Sequence, residues 1–417
     1  MGFVIPILLV LAIDFYAFQG LKTLLSSNFQ QLNLVYLSYW LISIILPALF
    51  IYGMLEMRRN HQMPVIWVTL GNIWFILLMT KLVFILVLFG EDIYRFFEAI
   101  YLKLQNYFSN EISIESPTMA SRRKFVSQGA LLLASIPFMS LTYGMIRGRY
   151  QYKIHQQTLY YKDLPEAFDG FRICQISDIH SGSFEDRAGV LKGLDMIKAL
   201  KSDLIVFTGD LVNTFSTEFD PWVADFKNLK APYGQYSILG NHDYGEYTQW
   251  ETEAAKQQNF KAIKAHHADM DFRLLLDESI KIEKNNQSIR LLGVENWGVG
   301  FGKRGNLEQA LHQVDASEFK ILLSHDPTHW ENEVKTHPQN IHLTLSGHTH
   351  GMQMGIEIPG FKWSPIQYRY PKWAGLYSEA GRNLYINRGF GVLGFRGRVG
   401  IWPEITEITL KRGEEVS

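Results

Sequence analysis

Three apolar runs restrict the fold of this chain more than any other feature. Residues 3–18, 34–55 and 64–89 are almost wholly apolar, broken mainly by Asp14, Pro47 and Lys81. Each approaches the roughly 20 residues that an α-helix needs to cross a bilayer. Helices buried in a soluble core are the alternative, but three such runs in one third of a chain fit membrane spans better. A fourth apolar run covers about 129–146, and beyond residue 150 polar and apolar segments alternate as in a soluble domain. The expected domains are a transmembrane helical region over 1–110, a basic segment with the fourth apolar helix over 111–150, and a separate catalytic domain over 151–417.

Residues 91–108 mix charges and aromatics at helical spacing, which predicts a helix lying at the interface or packing on the helix bundle. A polar loop follows, Ser109 to Thr118. Ser121-Arg122-Arg123-Lys124-Phe125-Val126 then resembles a twin-arginine export signal placed internally, with Val126 where leucine is commoner. Arg95, Lys103, Arg122, Arg123 and Lys124, with Lys22 of a 19–33 loop on the same side if there are four spans, outweigh Arg58 and Arg59 of the opposite loop, 56–63. The positive-inside rule then puts 91–124 in the cytoplasm and all after residue 147 outside, against the weaker pull of Arg147 and Arg149. The expected location is the inner membrane of the cell, crossed several times, with the catalytic domain on the extracytoplasmic side. Asp14 and Lys81 are ionisable groups within apparent spans. Either they pair or each snorkels to the interface separately.

With 40 basic and 41 acidic residues the net charge is -1. That excludes the basic excess of a nucleic-acid-binding protein. A single cysteine, Cys174, rules out an internal disulfide and thiolate zinc sites, and its apolar surroundings suit a small buried hydrophobe.

In the C-terminal part, five apolar stretches read as strands, and each ends on a polar signature. Residues 171–177 lead to Asp178 and His180, 203–208 to Gly209-Asp210, 235–239 to Gly240-Asn241-His242-Asp243, 319–324 to His325, and 341–345 to Ser346-Gly347-His348-Thr349-His350. Helix-like stretches at 186–201, 219–229, 248–268 and 306–314 alternate with them. This pattern predicts a layered α/β domain. Residues 272–294 read as a β-meander turning at Asn285-Asn286, and 383–387 and 404–411 as closing strands around a glycine-rich loop, 388–391.

Asp178, His180, Asp210, Asn241, His325, His348 and His350 form an oxygen and imidazole donor set without sulfur. Such a set suits Mn, Fe, Zn or Co. Seven ligands exceed one tetrahedral ion but suffice for two divalent metal ions sharing Asp210. A metal pair about 3.5–4 Å apart can clamp a phosphate and activate a water for in-line attack. His242 could protonate the leaving oxygen, with Asp243 orienting it. The other histidines, among them His155, His266, His267, His312, His329 and His337, are expected to be surface or packing residues, with His266-His267 the pair nearest a cleft mouth.

D-x-H, G-D, G-N-H-D, S-H and G-H-x-H, in this order, resemble the signature of calcineurin-like metallophosphoesterases. The resemblance covers about 170–411. It is closest to the bacterial membrane-associated branch related to UDP-2,3-diacylglucosamine pyrophosphatase-like phosphodiesterases, which Asn387-Arg388-Gly389-Phe390-Gly391 and Trp402-Pro403-Glu404-Ile405 also resemble. It implies a four-layer α-β-β-α sandwich. By it, Asp178, His180, Asp210 and His350 hold one metal, and Asp210, Asn241, His325 and His348 hold the other. His242 is then the proton donor. Met352 departs from the branch, which usually has a second glycine there.

The expected activity is hydrolysis of a phosphodiester or pyrophosphate, of a lipid-linked substrate. The alternatives are a broad phosphatase for small soluble esters and a non-catalytic membrane sensor. Residues 361–377 carry Phe361, Trp363, Tyr368, Tyr370, Trp373 and Tyr377 among Lys362, Arg369 and Lys372. They form either a loop packed on the sandwich edge or a rim resting on the bilayer.

Overall fold

The computed structural model describes residues 4–25, 31–60, 64–109 and 119–414. These fall into two compact units that divide between Tyr143 and Gly144. The first unit is helical: α1 (Val4–Leu24), α2 (Leu32–Asn60), α3 (Val65–Ser109) and α4 (Met119–Ile146), whose last residues belong to the second unit. All four are long and apolar enough to cross a membrane. Within the loops expected at 19–33, 56–63 and 109–118, residues 26–30, 61–63 and 110–118 lie outside the described residues.

One expectation changes here. The separate interfacial helix at 91–108 is instead the continuation of α3, which runs unbroken for 45 residues. No proline interrupts it, and the lone Gly90 at the junction penalises a helix by only about 1 kcal/mol. The aromatics Phe96, Phe97 and Tyr101 remain exposed along the extension.

Asp14 and Lys81 pair. The Lys81 ammonium donates to an Asp14 carboxylate oxygen and, at 2.8 Å, to the Ser43 hydroxyl, and it lies over the Tyr39 ring. Asp14 is buried. Removing one partner of a buried pair leaves an uncompensated charge at a cost of about 3–5 kcal/mol. Lys81→Met should therefore destabilise the detergent-solubilised protein by about that much, and Asp14→Leu added to it should recover most of the loss. Equal melting temperatures for the wild type and Lys81→Met would contradict this.

Among the described residues the second unit holds fourteen strands. They are β1 (Lys153–Tyr161), β2 (Arg172–Ile176), β3 (Leu204–Phe207), β4 (Gln235–Ser237), β5 (Arg273–Leu274), β6 (Glu278–Lys284), β7 (Gln287–Gly293), β8 (Lys320–Leu323), β9 (Leu343–Ser346), β10 (Ile356–Ile358), β11 (Phe361–Trp363), β12 (Gly375–Glu379), β13 (Arg382–Ile386) and β14 (Glu404–Arg412). One mixed sheet runs β1-β14-β2-β3-β4-β5, a second runs β12-β13-β9-β8-β7-β6, and β10-β11 stand apart as a hairpin.

Strand periodicity explains the layers. Successive side chains point to opposite faces. In β3, Leu204 and Val206 enter the core between the sheets, where Ile321 and Leu323 of β8 and Tyr385 of β13 meet them. Ile205 and Phe207 face the other way, onto helices Arg187–Leu200 and Glu253–Asp269. In the second sheet Leu322, Leu384 and Ile386 point outward onto Trp330, Val334 and Leu307. The result is helices, sheet, sheet and short helices. Helix Arg187–Leu200 buries Val190, Gly193, Leu194 and Ile197 on one stripe and starts where Asp186 caps the Ala188 amide. Cys174 is a buried core residue. The stretch expected as a helix at 219–229 is a 3₁₀ turn, Asp220–Trp222, and a single helical turn, Val223–Phe226.

Candidate metal centre

Within each sheet the parallel strands end on one edge, and the two edges meet. Between the sheets the Gln175 side chain donates to the Ser346 carbonyl, and within the second sheet the Gly347 amide donates to the His325 carbonyl at 2.9 Å. All seven candidate ligands follow strand ends at this seam.

The structure gathers them into two clusters. Asp178, His180 and His350 present ligand atoms within 4.8 Å of one another, and so do Asp210, His325 and His348. Asp210 Oδ2 joins the two, at 3.1 Å from His325 Nε2 and 3.5 Å from His180 Nε2. Asn241 Oδ1 lies 2.8 Å from His348 Nδ1. Asp178 accepts from the His348 amide at 3.0 Å, across 170 residues of sequence.

The backbone here is strained. Asp178, His180, Asp210, His348 and His350 all have positive φ, between 45° and 71°. Such left-handed conformations for non-glycine residues concentrate at functional sites. Gly347 and Gly240 permit the close approach: a Cβ at Gly347 would sit 2.3 Å from Asp178 Oδ2, and one at Gly240 2.2 Å from Asp210 Oδ1.

Second partners orient the imidazoles. His325 Nδ1 donates to the Thr208 carbonyl at 2.7 Å, and His180 Nδ1 to the Asn213 side-chain oxygen at 3.1 Å. In both rings Nε2 is thereby turned towards the clusters, a pattern typical of metal-binding histidines. His180 Nε2 and His350 Nε2 are buried atoms with no hydrogen-bond partner. Buried polar atoms are rarely left so, and the two point among carboxylates. This donor set fits divalent cations.

The electrostatics agree. Burial alone would raise both carboxyls, but the neighbouring imidazoles, His350 for Asp178 and His325 for Asp210, outweigh it and hold both well below the ordinary range. Burial also opposes charge on His325, yet the adjoining Asp210 carboxylate prevails and pushes that imidazole up to about 10. The pocket thus draws positive charge.

His242 lies at the cleft beside the clusters, stacked on Tyr247 with ring centroids 4.2 Å apart. Its Nδ1 donates to the Asn213 backbone carbonyl at 2.7 Å. The orienting role expected of Asp243 therefore belongs to Asn213. The buried Asp243 carboxylate instead accepts from the amides of Asp210, Leu211 and Gly240 at 2.8–3.0 Å. It braces the Asp210 loop rather than the imidazole.

Further residues went unnoticed in the sequence. Tyr370 hydroxyl is 2.8 Å and Asp326 Oδ2 3.3 Å from His348 Nε2. The buried Arg398 brings its guanidinium 3.3 Å from His350 Nδ1. Asp326 adjoins His325 and was the one local signal; Tyr370 and Arg398 are distant in sequence. His266 and His267 do not reach the cleft, being buried against the Ser216 carbonyl and the Ser237 hydroxyl. The cleft has a volume of about 200 Å³, with Phe301, Ile366, Arg369 and Leu393 among its walls.

Met352 has φ 53°. A glycine there would relieve left-handed strain of about 1–2 kcal/mol, less about 0.4–1 kcal/mol for the freer unfolded chain. Met352→Gly should thus stabilise by up to about 1 kcal/mol and raise the melting temperature; a lower one would contradict this.

Comparison with known proteins agrees with this geometry. Residues 171–352 match the calcineurin-like phosphoesterase family, and residues 1–149 match a family described as a probable calcineurin-like phosphoesterase transmembrane domain. The uncharacterized metallophosphoesterase YkuE of Bacillus subtilis is 31% identical over 250 residues, covering 60% of this chain and 82% of that protein. The transmembrane protein with metallophosphoesterase domain of Danio rerio is 27% identical over 278 residues, 65% of this chain and 60% of that one. The UDP-2,3-diacylglucosamine pyrophosphatase LpxG of Chlamydia trachomatis is 29% identical over 272 residues, 55% of this chain and 81% of that one. Both parts of the chain thus have their counterpart, and the protein belongs to the calcineurin-like phosphoesterases as a membrane-anchored, metal-dependent phosphoester hydrolase.

Proposed function

We propose that the chain hydrolyses a phosphodiester or pyrophosphate of a lipid-linked substrate, using two divalent cations. Asp178, His180, Asp210 and His350 would hold one cation, and Asp210, Asn241, His325 and His348 the other. The observation that carries this reading is the pair of Asp/His clusters joined through Asp210. Bound there, the cations would neutralise phosphoryl oxygens and activate a water.

The chain's own groups do the rest. Asn213 fixes His242 through its Nδ1, so the opposite ring nitrogen is left to carry a proton towards the cleft. Asp243 holds the Asp210 loop by its amides. The apolar walls Phe301, Ile366 and Leu393 suit an amphiphile, and Arg369 suits its anionic group. The likeness to LpxG, a UDP-2,3-diacylglucosamine pyrophosphatase, supports a lipid substrate.

Metal analysis should find two divalent ions per chain, and turnover in mixed micelles should favour phosphodiesters and diphosphates of lipids over soluble monoesters. Preference for soluble esters would favour a broad phosphatase instead. For orientation, we infer an inner-membrane protein with its catalytic domain outside the cytoplasm. Protease added to intact spheroplasts should then digest that domain; digestion only after lysis would place it inside.

A further inference from the structure

The β10–β11 hairpin belongs to neither large sheet. Its register pairs Ile356 with Trp363, Glu357 with Lys362 and Ile358 with Phe361. Side chains alternate across a strand, so Glu357 and Lys362 share one face and the four apolar residues share the other. Both polar side chains are tied to the domain. Glu357 accepts from Arg388 Nε at 3.0 Å, and the Lys362 ammonium donates to the Ala374 carbonyl and lies over the Trp373 ring. The apolar face is uncovered: Ile356 is 49%, Ile358 59% and Phe361 52% exposed, and Tyr368 just beyond is 80% exposed. A hairpin built for water would be reversed.

The root of this hairpin is tied to the point where the domain begins. Val399 donates to the Gln353 carbonyl at 2.8 Å and accepts from the Gly355 amide at 2.9 Å. The neighbouring Arg398 amide donates to the carbonyl of Gly144 at 3.2 Å. Gly144 is in the last turn of α4, a candidate membrane span, and only residues 147–152 separate α4 from β1. Fully extended, that link reaches roughly 20 Å, so the domain cannot leave the bilayer surface by more. Trp363 pairs with Ile356 at the same root, and from there the chain continues into Pro365–Tyr368 and the cleft residues Ile366, Arg369 and Tyr370.

We propose that this face docks on the lipid bilayer. Ile356, Ile358 and Phe361 enter the interfacial layer of the leaflet from which the domain emerges, with Tyr368 at headgroup level. This revises the aromatic rim read from the sequence. Tyr370 and Trp373 are buried core residues, the exposed Lys362 has its ammonium tied to the Ala374 carbonyl, and Lys372 is paired with Glu331 and Glu379. The docking face is therefore apolar rather than basic, and its attachment is insensitive to salt and to anionic lipid. The proposal rests on the membrane anchor and not on the substrate assigned above.

The test uses the full-length protein, one copy per lipid nanodisc, so that no second copy can cover the face. Cys174 is buried and stays unlabelled. An environment-sensitive fluorophore is placed at Ile358→Cys and, as control, at Asn286→Cys in the exposed β6–β7 turn. The Ile358→Cys probe is expected to be blue-shifted and quenched severalfold more strongly by shallow doxyl-labelled phosphatidylcholine than the control, equally with or without phosphatidylglycerol. A probe as wet as the control, or dry yet unquenched by lipid, overturns the proposal. The double variant Ile358→Glu, Phe361→Glu should keep full hydrolysis of bis-nitrophenyl phosphate while losing about tenfold in turnover of a disc-embedded phosphodiester. Equal embedded turnover also overturns it. Should no embedded lipid be hydrolysed even by the wild type, the substrate reading fails while the quenching result still decides the docking.

Discussion

Asp210→Ala is expected to abolish hydrolysis of bis-nitrophenyl phosphate, with a fall of at least about 10³-fold, and to strip metal from the protein. Asp210 is the one carboxylate shared by both clusters: its Oδ2 faces His325 and His180, and its Oδ1 accepts from the His242 amide at 2.8 Å. Without it the second cluster keeps only neutral donors, Asn241, His325 and His348, which hold a divalent cation poorly. The charge that sustains a proton on His325 disappears with it. Asp210→Asn separates charge from shape, since it retains an oxygen for the His242 amide and fills the same space. We expect it to lose nearly as much activity while melting close to the wild type. Full activity in either variant would refute the site. Folded, inactive protein with two ions still bound would move the loss from metal binding to a later step.

His242→Gln tests the proton donor in a way that metal loss cannot imitate. The ring sits at the cleft with Nδ1 committed to the Asn213 carbonyl, so its chemistry is confined to the other nitrogen. General acid catalysis typically supplies 10²–10⁴-fold. That benefit applies only where the leaving oxygen needs a proton. Hydrolysis of an alkyl phosphodiester should therefore fall by about 10²–10⁴-fold, whereas the nitrophenyl ester, whose phenolate departs unassisted, should fall far less. Metal content should be unchanged. Equal losses on both esters would make His242 a positioning residue instead.

Particular residues show how far the sequence could be read. The four apolar helices were visible because transfer to lipid depends on local composition. The continuity of α3 through residues 91–108 was not, because charged and aromatic spacing looks the same in an interfacial helix and in one that extends beyond a span. Asp178, Asp210 and the histidines after strand ends were visible because each motif is short. The work of Asp243 was misread: an Asp beside His242 in sequence points the other way in space, onto three amides. Asn213 and Arg398 had no signal, since nothing in their neighbourhoods marks them, and Tyr370 was marked only as one of the aromatics of 361–377. The aromatic stripe at 361–377 was ambiguous for the same reason, and burial divided it into core and surface.

The sequence by itself determined the kinds of donors, their order and the membrane-spanning character of the first third. These follow from side-chain chemistry and from hydrophobicity summed over neighbours, and need no contact between distant residues. Only the tertiary structure decided which groups meet, which ring nitrogen each histidine turns inward, and which face of the β10–β11 hairpin is left bare. Those depend on backbone angles and on hydrogen bonds such as that from His348 to Asp178, formed between segments that the chain keeps far apart until it folds.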